Sequence, residues 1–280
     1  MTEPTIRLAV LGEPIEHSLS PKIHALFAQQ THRPVDYRAI HCPTHALSDQ
    51  LRHLHETGHQ GLNLTVPLKE HALDVCEGLS IDATQAGAVN TLLRTETGWW
   101  GANTDGAGLV NDIRANGLAL ADQRLLIIGA GGATAGIIGP LLSAGASQVA
   151  VMNRTLARAQ ALCDRFADAR LSAHPLAPNA PPPAALAPFD GIIQATSQGH
   201  QGALTLPNQS WWAPQAWCYD LNYGPAHRPL LHWASANDRR VFDGLGMLVQ
   251  QAALSFELWM GVKPDATEAL AALRDSPTSC

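Results

Sequence analysis

Short apolar runs and helical patterns alternate along the first hundred residues of the chain. Apolar runs predict four strands, RLAVLG (7–12), VDYRAIH (35–41), GLNLTV (61–66) and AVNTLLR (88–94). Helical patterns predict SPKIHALFAQQ (20–30), with Pro21 in its first turn, and ALSDQLRHLHETG (46–58), closed by Gly58. Strands and helices that alternate at this spacing indicate an α/β arrangement with a parallel sheet.

A second series of strands and helices begins at Arg124, with the strands LLIIG, QVAVMN, GIIQAT and CYDLNY. The two series predict two separate sheets. Within this series, residues 125–153 carry no charge, over more than the roughly 20 residues that a membrane-spanning helix needs. Six glycines and Pro140 divide this stretch, so we predict strand, tight turn, helix, turn and strand, with no membrane insertion.

Two further segments have a distinctive composition. Residues 174–190, HPLAPNAPPPAALAPFD, predict a surface loop with polyproline character, because proline fixes φ and lacks an N–H donor. A recognition motif for a partner is the alternative interpretation of this loop. Residues 247–261, MLVQQAALSFELWMG, predict a helix that is apolar around most of its circumference and is therefore buried. The segment ATEALAALR predicts a short final helix.

Composition narrows the function classes. The 280 residues favour about two domains, and 46% hydrophobic against 15% charged residues excludes a disordered chain. The net charge of −6 gives no electrostatic footprint for nucleic acid or an anionic membrane. The five cysteines form no C-x-x-C pair, and MTEPTIR lacks the features of a signal peptide. We therefore expect a cytoplasmic protein without a disulfide framework or a metal site.

A glycine-rich loop follows the strand LLII directly. The sequence GAGGATAG (129–136) puts small residues where a backbone must turn sharply and approach a pyrophosphate at a helix N-terminus. Its spacing departs from G-x-G-x-x-G, because Thr134 occupies the last position. The loop predicts a dinucleotide site, and a tight turn without a ligand is the alternative. The residues that would hold the cofactor here are Gly129, Ala130, Gly131, Gly132 and Ala133.

The end of the next strand favours NADP over NAD. NAD-binding folds place an acidic residue there to bind the ribose hydroxyls, whereas this strand ends in Asn153, Arg154 and Thr155, with Arg158 one turn later. Guanidinium groups bind phosphate through paired, charge-assisted hydrogen bonds. An ordinary pair of solvated arginines is the alternative interpretation.

Four polar motifs follow or precede apolar strands of the first half: HSLSPKIH (17–24), NLTVPLK (63–69), GAVNT (87–91) and GANTDG (101–106). In an extended segment Ser18 and Ser20 would present their hydroxyls to one side, and Asn63 and Thr65 would likewise share a face. Ser20 precedes Pro21, so a helix N-cap is an equal alternative for it. Such hydroxyls and amides suit a polyhydroxylated substrate.

Lys69 is the candidate acid/base. Of the 18 basic residues only three are lysines, at positions 22, 69 and 263. An ammonium can lose its proton near neutral pH, whereas a guanidinium cannot. Asp105, in what the pattern predicts to be a polar turn, is its candidate partner. A surface lysine and a turn aspartate without further role are the alternatives.

Taken together, these motifs resemble the shikimate dehydrogenase family nearly from end to end. The matching segments are GEPIEHSLSPKIH, NLTVPLKE, GAVNT, NTDG, GAGGA, NRT, ATSQG, YDLNYGP and DGLGMLVQQAALSFELW. The resemblance implies a two-domain α/β fold. Residues 1–106 and 243–280 would form an N-terminal α/β substrate domain to which the C-terminal helices return, and residues 107–242 a Rossmann-like NADP-binding domain.

The resemblance also implies an activity and its residues. The reaction would be the reversible NADPH-dependent reduction of 3-dehydroshikimate to shikimate, in chorismate and aromatic amino-acid biosynthesis. Lys69 would be the acid/base with Asp105 beside it, and Ser18 and Ser20 would hold the substrate carboxylate. Other substrate contacts would be Asn63, Thr65, Asn90, Asp105, Gln251 and, near the carboxylate, Tyr223. Further cofactor contacts would be Thr196, Leu221 and Gly244. The expected partners are the small-molecule substrate and NADP(H), with no nucleic acid or membrane, in a monomer or homodimer.

Four positions depart from the family pattern. Ala25 stands where asparagine is common, Gln194 replaces the asparagine of NATS, His200 stands where methionine is usual, and His227 replaces a threonine. None of them is a predicted catalytic residue. Two other functions stay open: a quinate/shikimate dehydrogenase that also accepts NAD, and a non-catalytic NADPH-binding regulatory protein of the same fold.

Overall fold

The computed structural model describes residues 4–183, 186 and 188–275. Twelve strands run in chain order: β1 Ile6–Gly12, β2 Val35–His41, β3 Gly61–Leu64, β4 Gly78–Leu79, β5 Thr91–Arg94, β6 Trp99–Ala102, β7 Arg124–Ile128, β8 Gln148–Asn153, β9 Leu171–Pro175, β10 Phe189–Gln194, β11 Trp212–Asp220 and β12 Val241–Phe242. The helices are α1 Ser20–Thr31, α2 Leu47–Glu56, α3 Leu68–His71, α4 Ile81–Ala86, α5 Asp105–Ala115, α6 Gly132–Ser143, α7 Leu156–Phe166, α8 Arg228–Ala236, α9 Leu245–Met260 and α10 Ala266–Arg274.

The chain divides into two compact units. The first unit holds the described residues up to Gly108 and those from Leu248 to the end of the described chain, and the second holds Leu109–Met247. The helices α9 and α10 thus belong mainly to the first unit, where Phe256 and Leu273 pack with Phe27 of α1 in one apolar cluster. The return of the C-terminal helices to the first half is confirmed. The boundaries at 106/107 and 242/243, and the ligand assigned to each part, stay predictions.

The sheet of the first unit is mixed, so the prediction of a parallel sheet is wrong for this half. Its strand order is β2-β1-β3-β5-β6-β4, and β5 runs antiparallel to both β3 and β6. A short loop joins Arg94 to Trp99, and a connection of this length brings two strands together only in opposite directions. The alternation of apolar runs gave no sign of β6 (WWGA) as a strand or of the direction of β5.

The sheet of the second unit is parallel throughout, with the order β12-β11-β10-β7-β8-β9. Read from β9, the chain order is 3-2-1-4-5-6, which is that of the dinucleotide-binding doubly wound fold. The strands are continuous apolar runs because both faces of such a sheet are covered, and Leu125, Ile127 and Val149 are fully buried. The Rossmann-like arrangement is confirmed.

The uncharged stretch 125–153 forms β7, α6 and β8, as predicted. Among the described residues, no helix combines the length and the hydropathy that crossing a membrane requires.

The proline-rich segment 174–190 is shorter as a loop than predicted, because its two ends belong to β9 and β10. Ala180 lies between these two strands, and its carbonyl oxygen accepts a hydrogen bond from Trp211 Nε1 at 3.0 Å. This part of the loop is therefore tied to the body of the second unit. Residues 184, 185 and 187 lie outside the described residues.

Candidate active site and cofactor loop

The four polar motifs of the first unit meet at one edge of its sheet because of strand direction. β1 and β3 are parallel neighbours, with Leu11 paired to Leu64, so the segments that follow both strands lie at the same edge. β5 is antiparallel to β3 and pairs Thr91 with Asn63, so β5 begins at this edge. β6 runs back and ends there with Ala102 opposite Thr91. Topology alone therefore gathers segments from distant parts of the sequence.

Lys69 and Asp105 form an ion pair at this edge, with Nζ donating to Oδ2 at 2.6 Å. Lys69 lies on α3, which the buried Leu68 and a 2.8 Å hydrogen bond from Val89 N to Lys69 O hold in place. Asp105 is the first residue of α5 and not part of a turn, which corrects the prediction. A helix N-terminus stabilises a carboxylate. The side chains are 29% and 14% exposed, so the pair stays accessible to a small ligand.

Asn90 binds the carboxylate oxygen of Asp105 that does not face Lys69. Its Nδ2 donates to Asp105 Oδ1 at 2.8 Å and lies 3.2 Å from Gln251 Oε1 of α9. Its Oδ1 accepts from the Thr104 backbone N–H at 2.9 Å, which fixes the amide orientation. Four predicted site residues, Lys69, Asn90, Asp105 and Gln251, are thus in one connected group.

Asn63 lies in β3 beside this group and is only 6% exposed. Its Oδ1 accepts from Tyr37 Oη at 2.7 Å. β3 ends at Leu64, one residue before Thr65, so the shared face of Asn63 and Thr65 stays a prediction. Thr65 lies in the turn before α3, where its N–H donates to Leu11 O at 2.9 Å.

The two serines follow β1 at the same edge, but not in an extended segment as predicted. Ser20 begins α1, and the N-cap is Leu19. Ser20 is therefore not the N-cap either, and its backbone N–H donates to Ser18 Oγ at 3.3 Å. Ser20 is 8% exposed and Ser18 is partly exposed.

Sequence reasoning missed four polar side chains behind this group. Thr91 and Thr104 stand within the motifs GAVNT and GANTDG, so the motifs themselves pointed to them. Ser255 is a buried hydroxyl in the otherwise apolar part of α9, and Tyr37 lies in β2. No pattern in the sequence indicated the last two.

In the second unit, the glycine-rich loop forms the predicted turn between β7 and α6. Gly129 has φ +112°, and a Cβ there would lie 3.0 Å from Ala195 O, so the position requires glycine. Gly131 is the N-cap of α6, and a Cβ on it would meet no atom within 4 Å. Gly131, Gly132 and Ala133 are exposed. The loop therefore leaves open space in front of a helix N-terminus, which fits a pyrophosphate.

The positive charges predicted beside this loop are in a suitable place. β7 and β8 are parallel neighbours, and Gly129 N donates to Met152 O at 2.7 Å, so both strands end side by side. Arg154 and Arg158 follow β8, are exposed, and form no ion pair with a carboxylate of the described residues. Thr155 is the N-cap of α7, and Asn153 Nδ2 donates to Thr155 O at 2.9 Å. The residues present fit a phosphorylated dinucleotide.

The remaining predicted cofactor residues follow β10, β11 and β12. Asn222 Nδ2 donates to Thr196 O at 3.0 Å, which joins the first two of these loops. A Cβ on Gly244 would lie 2.2 Å from Leu221 O, so only glycine fits this close approach. Tyr223 is 37% exposed, and burial raises the pKa of its hydroxyl.

Two departures from the family pattern lie in this region. Gln194 is buried at the end of β10, and its Oε1 accepts from Thr196 N at 3.1 Å. His227 Nδ1 lies 3.2 Å from Oδ2 of the buried Asp220. Both side chains thus have partners within the second unit.

Three family models match the chain: "Shikimate dehydrogenase substrate binding domain" over residues 10–92, "Shikimate / quinate 5-dehydrogenase" over 112–203, and "Shikimate 5'-dehydrogenase C-terminal domain" over 244–274. The shikimate dehydrogenase (NADP(+)) of Alkalilimnicola ehrlichii is 44% identical over 273 residues, covering 96% of this chain and 99% of that protein. The chain belongs to the shikimate dehydrogenase family. A second relative, shikimate dehydrogenase (NADP(+)) of Xanthomonas euvesicatoria, is 44% identical over 277 residues, covering 97% of this chain and 96% of that protein.

A solved member of the shikimate dehydrogenase family has the same fold. The shikimate 5-dehydrogenase of Thermus thermophilus, crystallised with NADP(H) and shikimate, is 36% identical with a TM-score of 0.82, covering 96% of this chain and 98% of that one. The family resemblance of the motifs is therefore confirmed. The roles of individual residues are not tested by this similarity.

Proposed function

We propose that the protein catalyses the reversible NADPH-dependent reduction of 3-dehydroshikimate to shikimate, as a step of aromatic amino-acid biosynthesis. The observation that carries the proposal is the Lys69–Asp105 ion pair, 2.6 Å long and partly exposed within a group of amides and hydroxyls. Relatives named as NADP(+)-dependent shikimate dehydrogenases support the substrate and the cofactor.

Lys69 is the proposed acid/base. When bound, NADPH supplies a hydride to the ketone carbon. Lys69 donates a proton from Nζ to the oxygen at which negative charge develops, and in the reverse direction Nζ accepts the proton of the substrate hydroxyl. An ammonium has three N–H donors, so the one directed at Asp105 leaves others for the substrate. Asp105 holds Nζ in place and balances its charge.

The polar side chains around this pair are the proposed substrate contacts. Ser18 and Ser20 bind the carboxylate, and Tyr223, a residue of the second unit, is proposed as a further substrate contact. Ring hydroxyls are bound by Asn63, Thr65, Asn90, Asp105 and Gln251. Hydroxyl and amide groups in fixed positions select a polyhydroxylated ring because an analogue without a hydroxyl leaves a buried partner unpaired.

The proposed NADP site lies on the second unit. The backbone from Gly129 to Ala133 binds the pyrophosphate in front of α6, and Asn153, Arg154, Thr155 and Arg158 bind the phosphate of the adenosine ribose. Thr196, Leu221 and Gly244 line the nicotinamide side. Both guanidinium groups are exposed and form no ion pair with a carboxylate of the described chain, which supports this assignment.

Replacing Lys69 tests the proposal. Positioned proton transfer contributes about 10²- to 10⁴-fold, so we expect Lys69→Ala to lower kcat by that factor, measured as NADPH absorbance with shikimate and NADP+. Lys22→Ala removes an exposed lysine of α1 and should retain wild-type kcat. Turnover close to wild type in Lys69→Ala contradicts the acid/base role. A wild-type protein that binds both ligands without forming NADPH is instead the non-catalytic regulatory protein.

Quinate is a second candidate substrate, favoured by the family model "Shikimate / quinate 5-dehydrogenase" that matches residues 112–203. We expect shikimate with NADP+ to give the highest kcat/KM, because the two serines and the arginines after β8 match that pair of ligands. Measuring both substrates with both nucleotides separates the two activities. Comparable values for quinate with NAD+ would contradict the narrower assignment.

A reducing, cytoplasmic location is also proposed. The four cysteines of the described chain are unpaired, and burial raises the pKa of Cys76 to about 11 and that of Cys218 to about 12. Such thiols react slowly.

The oligomeric state, a monomer or a homodimer, also stays a proposal. Sedimentation of the purified protein would decide between the two.

A further inference from the structure

A continuous series of side-chain hydrogen bonds runs through the first unit to the candidate acid/base pair. We infer that Ser255 is a positioning residue for Lys69 and Asp105, which it does not touch. It acts through a hydrogen-bond series with one direction, from donor to acceptor: Tyr37, Asn63, Ser255, Thr91, Asn90 and Asp105. This inference rests on the proposed acid/base role of Lys69.

In the first two hydrogen bonds of the series, from Tyr37 to Asn63 and from Asn63 to Ser255, the chemistry of the groups decides which atom is the donor. Tyr37 Oη donates to Asn63 Oδ1 at 2.7 Å, and burial raises the pKa of this phenol well above its usual value, so the donor proton is retained. Asn63 Nδ2 lies 3.1 Å from the carbonyl oxygen of Asn90, which only accepts, so the amide orientation is fixed. The same Nδ2 donates to Ser255 Oγ at 3.1 Å.

The direction at the next members follows by counting hydrogens. Thr91 Oγ1 donates to Asn90 Oδ1 at 2.9 Å, because a carbonyl oxygen cannot donate. A hydroxyl has one hydrogen, so while Thr91 donates to Asn90 Oδ1, the donor in the 2.7 Å contact between Thr91 and Ser255 is Ser255. The other partners of the Ser255 hydroxyl are farther away, with Gln251 O at 3.1 Å and Thr104 Oγ1 at 3.3 Å. Ser255 is fully buried, so water does not replace this donor.

The last two hydrogen bonds of the series, from Thr91 to Asn90 and from Asn90 to Asp105, connect Ser255 with the ion pair. Asn90 Oδ1 accepts from Thr91, and Asn90 Nδ2 donates to Asp105 Oδ1 at 2.8 Å. Asp105 Oδ2 then faces Lys69 Nζ. Hydrogen bonds in series polarise one another, and each donor here is directed toward the carboxylate. Removing a middle hydroxyl therefore weakens the hold on Asp105 without removing any group that meets the substrate.

Kinetics of Ser255→Ala test this inference. One hydrogen bond contributes about a fivefold factor, so we expect kcat for shikimate oxidation to fall about fivefold with KM little changed, and Ser255→Thr, which keeps the hydroxyl, to restore it. Trp99→Phe is the matched control, because it removes a buried 3.0 Å hydrogen bond to Leu51 O in the same unit outside the series. Equal losses of kcat in Ser255→Ala and Trp99→Phe overturn the inference, as does a rise in KM alone.

A ligand-free measurement separates this inference from the proposed function. The side-chain amide protons of Asn90, identified in NMR spectra by their loss in Asn90→Asp, should shift in both Tyr37→Phe and Ser255→Ala and stay unchanged in Trp99→Phe. Unchanged Asn90 amide signals in Tyr37→Phe and Ser255→Ala overturn the series. An inactive wild-type enzyme refutes the proposed function but leaves this result interpretable.

Discussion

His24 of α1 is a buried titratable group whose burial sets a pH dependence of stability. Its ring is fully buried and stacks on Tyr37 with centroids 4.1 Å apart. Neither ring nitrogen has a hydrogen-bond partner within the described residues. Burial lowers the pKa of His24 to about 3 from 6.5, and a smaller contribution from Asn63 opposes this shift.

The direction of this pH dependence follows from the linkage between proton binding and folding. In the unfolded chain His24 binds a proton below about pH 6.5, whereas in the folded protein it stays neutral until about pH 3. Its contribution to stability is therefore complete above pH 6.5 and is lost as the pH falls toward 3. The slope is about 1.4 kcal/mol per pH unit within this window. Between about pH 7 and pH 5 the first unit should lose about 2 kcal/mol through His24.

The assay compares wild type with His24→Leu, which cannot titrate. Hydrogen exchange of the β1 amides, corrected for the intrinsic exchange rate at each pH, reports the free energy of opening of the first unit. Wild type should lose about 2 kcal/mol more than His24→Leu between pH 7 and pH 5. Phe27→Leu, a buried neighbour without a titratable group, should lower stability equally at both pH values. The same pH dependence in wild type and His24→Leu would refute the reasoning.

Two further predictions concern the cofactor site and the last helix. Replacing both Arg154 and Arg158 by alanine should raise KM for NADP+ by about 10- to 100-fold, the range for hydrogen bonds to a charged group, with KM for NAD+ little changed; an equal rise for both nucleotides argues against binding of the extra phosphate. Asp265 is the N-cap of α10 and accepts from Thr267 N and Glu268 N at 2.8 and 3.0 Å. Asp265→Ala should lower the free energy of unfolding by about 1 kcal/mol in urea titrations, and Asp265→Asn should retain most of it; equal losses in the two variants would exclude the cap.

Much of the second unit was predictable because its signals are local. The run of apolar residues in β7, the turn at Gly129 and the helix α6 follow one another within about twenty residues, and each depends on nearby backbone geometry. In the first half, the composition likewise leaves two lysines, Lys22 and Lys69, as candidate acid/base residues. The motif resemblance then supplied the family, which the comparisons confirmed.

The first unit was less predictable, because the incorrect predictions there concern how strands pair and in which direction they run. Alternation located β3 and β5, but not that they run antiparallel. The helix predicted over 20–30 is found as α1, but the extended presentation of the Ser18 and Ser20 hydroxyls is not, because Ser20 is already the first residue of α1. A local pattern identifies an element, whereas its direction depends on which distant backbone groups it pairs with.

The sequence by itself determined most of the long strands and helices, the glycine turn and the residue types available for chemistry, because these depend on neighbours a few positions away. Only the tertiary structure decided that Asn90 meets Gln251, 161 positions later, and that Ser255 meets Asn63, 192 positions earlier. Those contacts arise where α9 returns to the first unit. The hydrophobic pattern of an apolar helix does not show what a single hydroxyl in it will contact. Its partners are the atoms that the fold brings within hydrogen-bond distance.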